Sequence, residues 1–104
     1  MPKVKHVVLF RLRRETPAAV FAEIMSGLEE LRGLMPGLLE VSGGRQNSQE
    51  GIGPGFTHGF AITFADEATR DAYLAHPKHE PVKQKIIDHL DGGLDAAAVV
   101  DWLE

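Results

Sequence analysis

The sequence predicts an α+β fold, an antiparallel sheet with helices packed on one face only. Two observations lead there. Apolar spacing alternates between every second residue and every third or fourth, in the order strand, helix, strand, strand, helices, strand. The connections between these segments are short and no internal repeat is visible. At 104 residues the chain is sized for one domain, so positions 1–104 are read as a single unit.

The first strand runs from Val4 to Leu12. Val4, His6, Val8, Phe10 and Leu12 share one side, and Lys5, Val7, Leu9 and Arg11 the other. Both sides are largely apolar, which suits a central strand. Helical spacing follows, with Thr16 as the expected N-cap and Pro17 at the first helical position. Val20, Phe21, Ile24, Met25, Leu28 and Leu31 make its apolar stripe, and Pro36-Gly37 ends it. A second strand spans Leu38 to Gln46. The stretch "SGGRQNSQEGIGPG" then lacks the lysine and hydroxyl of a phosphate loop and reads as a hairpin connection.

The third strand, Phe56 to Phe64, places Phe56, His58, Phe60, Ile62 and Phe64 on one side. Its other side is small, with Gly59 and Ala61, so another backbone or sheet can approach. Asp66 caps a helix to about Ala75, Pro81 opens another, "DGG" stops it, and "AAAVVDWL" is the last strand. Strand–helix–strand twice over gives a ferredoxin-like sandwich. Helices cover one face of such a sheet. The other carries Val7, Leu9, Ala61 and Thr63, and a second copy is the expected cover, as a C2 homodimer.

Composition narrows the function. There is no cysteine, which excludes disulfides, thiolate metal sites and cysteine nucleophiles and fits a cytoplasmic setting. A net charge of −4 argues against nucleic acid as partner. The cluster Arg11, Arg13, Arg14 reads as a solvated strand end. "MPKVKHVVLFRLRR" returns to charge too soon for a signal peptide or a spanning helix, so no membrane partner is expected.

His6 and His58 each stand on an otherwise apolar side. Either alone reads as a histidine satisfied by a backbone carbonyl; two on neighbouring strands point to a small-molecule pocket under the helices. The other concentration of chemistry is "YLAHPKHEPV", Tyr73 to Val82. His76 precedes a proline and should close one helix, while His79 should lie at the start of the next. Opposite helix poles would raise the pKa of His76 and lower that of His79 around about 6.5. A neutral His79 with Tyr73 could act as general base and hydrogen-bond donor beside a carbonyl. The competing reading is a solvated corner between helices. Metal is disfavoured, because Pro77 breaks the helix that would align His76 with His79 and no HExxH occurs.

The chain resembles the stress-responsive dimeric A/B barrel (Dabb) family over nearly its whole length. "KHVVLFRL", "FTHGFAITFAD", "AYLAHPKHEPV" and "VVDWL" carry the likeness. The resemblance implies a dimeric α/β barrel with a pocket between each sheet and its helices, and no cofactor. A plant cyclase of the family carries out a cofactor-free aldol condensation of a polyketide, with a histidine base and a tyrosine from a "Y-x-x-H-P-x-H" segment. Those positions match Tyr73 and His79, and its strand histidines match His6 and His58. The cyclase also has a tyrosine on its first helix. Tyr73 is the only tyrosine here, so polyketide specificity does not carry over. Three functions follow: a cofactor-free cyclase, lyase or isomerase acting on a carbonyl or polyketide-like substrate; a non-catalytic ligand-binding dimer; or a cofactor-independent monooxygenase.

Overall fold

The structure is a computed structural model that describes residues 2–104. Four antiparallel strands, β1 (Val4–Phe10), β2 (Leu38–Arg45), β3 (His58–Phe64) and β4 (Ala97–Leu103), lie in the order β2-β3-β1-β4. Helices α1 (Ala18–Leu34), α2 (Glu67–Ala75) and α3 (His79–Asp88) pack on one face, the helix face. A short 3-10 turn, Gly93–Ala96, leads into β4. This is the ferredoxin-like arrangement, with β1 central as its two apolar sides require.

Register fixes which residues meet. In β1–β3, His6 lies opposite Ile62 and Phe10 opposite His58. In β1–β4, His6 lies opposite Asp101 and Val8 opposite Val99. The core forms on the helix face from Val4, Val8, Phe10, Phe60, Ile62 and Phe64 against the α1 stripe, Tyr73, Val82 and Ile86. Helix α1 lies over β2 and against α3, and Gly27 lets them close: a Cβ there would stand 2.6 Å from Val82 Cγ2.

The second helix starts as expected. Asp66 accepts from the Thr69 backbone N–H at 2.8 Å and from its hydroxyl at 2.7 Å. Two helix starts differ. Helix α1 begins at Ala18 with Pro17 as N-cap, which offers no side-chain acceptor, and the Thr16 hydroxyl oxygen is buried without a partner. Helix α3 begins at His79 rather than Pro81. The proline sits inside the first turn, where its missing N–H leaves no bond unmade. The DGG stop is a left-handed turn, with φ of 107° at Gly92 and 69° at Gly93.

The opposite, open face carries Val7, Leu9, Ala61, Ala98, Val100 and Trp102. Val100 is 56% and Trp102 48% exposed, a contiguous apolar surface on the uncovered side of the sheet. No helix among the described residues is long and apolar enough to cross a membrane.

Candidate functional site

The helices cover β1 and β3 more fully than the edge strand β4. A cleft of about 370 Å³ remains beside β1 and β4 under α2 and α3, and His6, Tyr73 and His79 all line it. Each arrives by a local cause. His6 is an inward residue of β1, 4% exposed, because alternation gives it the same side as Val4 and Val8. Tyr73, at 1% exposed, is the one buried residue of α2. Pro77 then forces the chain to turn.

That turn is tight. His76 caps α2, its N–H donating to the Tyr73 carbonyl at 3.1 Å, and the His79 N–H donates to the His76 carbonyl at 3.0 Å. The His76 ring accepts at Nδ1 from the Lys78 N–H at 3.1 Å, which commits it to the corner. The result swings His79 back onto Tyr73, ring centroids 4.6 Å apart and edge to face. Tyr73 in turn stands 5.8 Å from the His6 ring and 5.1 Å from Phe64. Lys78 pairs with Glu30 and Lys85 with Glu23, tying the start and the last turn of α3 to α1.

The electrostatics separate the roles. Burial raises the Tyr73 phenol above its ordinary pKa, so it is a hydrogen-bond donor and not a base at neutral pH. Burial first, and then the Lys83 charge, lower the His79 pKa; Glu80 opposes them, His6 lowers it further, and the Leu74 carbonyl raises it. His79 is therefore neutral at pH 7. Its Nδ1 is sealed from solvent, and the Leu74 carbonyl nearby does not reach it in hydrogen-bond geometry. A buried polar atom left in this condition costs about 1–3 kcal/mol. The expected lowering at a helix amino end has burial as its main cause.

Two further residues join the site, and sequence reasoning missed both. Asp101 Oδ1 stands 2.7 Å from His6 Nδ1, and Asp101 Oδ2 accepts from Arg70 Nη1 at 3.0 Å. A carboxylate only accepts, so His6 carries its proton on Nδ1 and leaves Nε2 as the nitrogen available to the cleft. Arg70 is itself braced by Asp71 at 2.8 Å and Glu67 at 3.7 Å. The available signal was an acid in the otherwise apolar strand "VVDWL".

His58 is elsewhere. The register sets it four residues along the strand from the position facing His6, roughly 13 Å away. There it packs on Phe21 at 4.6 Å, stacks on Phe10 at 6.1 Å and meets the Thr57 hydroxyl at 2.8 Å. Burial and then Arg45 lower its pKa. It does not line the cleft. No group of three or more metal-ligating side chains occurs among the described residues.

Comparison with known proteins agrees with this architecture. Residues 4–103 match the Dabb family, the stress responsive A/B barrel domain. The chain is 28% identical over 99 residues to the stress-response A/B barrel domain-containing protein HS1 of Arabidopsis thaliana, covering 95% of this chain and 87% of that one. It is 28% identical over 76 residues to olivetolic acid cyclase of Cannabis sativa, covering 73% and 75%. A dimeric ferredoxin-like protein of unknown function from Jannaschia sp. superposes with a TM-score of 0.89 at 30% identity, covering 96% and 97% of the two chains. The chain belongs to the Dabb family.

Proposed function

From a Dabb fold with this cleft, we propose that the chain is a homodimer that binds a small apolar carbonyl compound and removes a proton beside its carbonyl. The observation that carries the reading is the contact of a buried tyrosine with a neutral, unpartnered histidine at the head of an apolar cleft. Val8, Phe60, Val82, Ile86 and Val99 offer the substrate an apolar berth. Tyr73 donates its O–H to the carbonyl oxygen, and His79 takes the α-proton. His6, oriented by Asp101, lines the same space. The likeness to olivetolic acid cyclase supports carbonyl chemistry of the aldol, lyase or isomerase type. The exposed Val100 and Trp102 face, with a dimeric relative, supports pairing through the open side of the sheet.

Exchange of the α-protons of octan-2-one in D₂O, followed by proton NMR, tests the reading. General base catalysis accelerates such steps by about 10²–10⁴. Exchange should rise well above buffer, fall to background in His79→Ala, and drop about tenfold or more in Tyr73→Phe. Exchange unchanged by both substitutions would defeat it. A second reading, binding without turnover, is favoured by the predominance of apolar lining. It predicts thermal stabilisation by the ketone with no exchange.

A further inference from the structure

Four of the six arginines, Arg11, Arg13, Arg14 and Arg45, line one recess of about 390 Å³ that shares no residue with the Tyr73 cleft. In a chain of net charge −4, this is a marked local concentration of positive charge.

The four are not employed alike. Arg11 donates to the Asp91 and Pro54 carbonyls at 2.7 and 2.8 Å, and Arg13 to the Asp88 carbonyl at 2.8 Å. Arg11 also faces Asp91 and Arg13 faces Glu15, so these two build the recess wall. Arg14 and Arg45 enter no ion pair among the described residues. Asp91, the one carboxylate lining the recess, is already held by Arg11.

Neutral donors gather at the same place. Thr16 lines the recess, and its hydroxyl oxygen is buried without a partner. The first turn of α1 has neither a side-chain cap nor an acidic residue, and Ala18 lines the recess. Arg45 lies opposite His58 in the β2–β3 register, and both line the recess. With Nδ1 of His58 given to Thr57, Nε2 remains. The rings of His58 and Phe21 supply an apolar wall.

Arg14 and Arg45 are exposed and hold no ion pair, so their guanidinium donors are free to meet a ligand in the recess. A phosphate presents at least three acceptor oxygens, and the planar arginine fork matches them. We propose that this recess binds a phosphate group, free or carried by a small organic ester, bridged by Arg14 and Arg45. The proposal does not depend on the chemistry of the Tyr73 cleft.

The test is an amide NMR titration of the full chain with sodium phosphate, ionic strength held constant with sodium chloride, and then with phenyl phosphate. Saturable shifts are expected at Ala18, Ala19, Arg45 and His58, with Tyr73 and His79 unmoved. Arg14→Gln and Arg45→Gln remove side chains that hold no ion pair, so the fold should persist. Each should raise Kd about tenfold. Tighter binding of phenyl phosphate would identify an organic ester as the ligand, and equal binding free phosphate. Shifts that fail to saturate, that chloride alone reproduces, or that keep the same Kd in both variants would overturn the proposal.

Discussion

Removing the Asp101 side chain separates its role at His6 from the rest of the fold. In Asp101→Ala, the His6 Nδ1–H loses its acceptor at 2.7 Å while its side chain remains only 6% exposed. An unsatisfied buried donor costs about 1–3 kcal/mol. Arg70 loses one of three carboxylates, a partly exposed pair worth about 0.2–1 kcal/mol. Together the loss should be about 2–3 kcal/mol. For a domain of this size each kcal/mol moves Tm by roughly 4–8 °C, so a fall of about 10–20 °C is expected. Asp101→Asn keeps an acceptor and should cost about half as much. Urea denaturation followed by circular dichroism at fixed protein concentration measures both. A double-mutant cycle with His6→Ala isolates the pair, and contacting residues of this kind couple by about 0.5–3 kcal/mol. A cost below about 0.5 kcal/mol for Asp101→Ala, or full additivity with His6→Ala, would mean that Asp101 does not hold His6.

Stability should fall from pH 7 to pH 5. His58 and His79 both have lowered pKa values when folded, so the unfolded chain binds more protons in that window. Their contribution is intact above about pH 6.5 and is lost as pH drops through the folded values. Thermal melts across this range should flatten in a His58→Gln/His79→Gln variant; an unchanged slope would assign the effect to other groups. Gly27→Ala should cost about 1 kcal/mol. The Cβ would stand 2.6 Å from Val82, and overpacking of about 1–3 kcal/mol outweighs a helix gain of about 1. In urea titrations Val82→Ala should cost less in the Gly27→Ala background than in the original chain, because the truncation relieves the clash. On the proposed pairing through the open face, the protein should sediment as a dimer and Val100→Glu, which places charge on that face, as a monomer; a variant that stays dimeric would locate the interface elsewhere.

Much of the fold was legible because alternation is a local signal. The β1 pattern alone assigned His6 to the helix face and Leu9 to the open face, and Asp66 announced α2. Two starts were misjudged for local reasons too: Pro17 displaced Thr16 as cap, and the first turn of α3 tolerated Pro81 in its interior. The site was less legible, because it is made by register. Nothing within the first strand or the last says that His6 meets Asp101, 95 positions away. The same registers place His58 opposite Phe10 and so away from Tyr73. The corner at Pro77 was readable as a break between helices. The swing that sets His79 edge to face against Tyr73, and the burial that neutralises it, belong to the tertiary packing of α2 against α3.

On the proposed function, the cleft lined by His6, Tyr73 and His79 receives a small apolar carbonyl compound. Intermolecular nuclear Overhauser effects between octan-2-one and the isotope-labelled protein test it most directly. Contacts are expected from the methyl ketone end to the Tyr73 and His79 rings, and from the alkyl tail to the Val8, Ile86 and Val99 methyls. Contacts confined to Phe21 and His58, or none at saturating ketone, would contradict it.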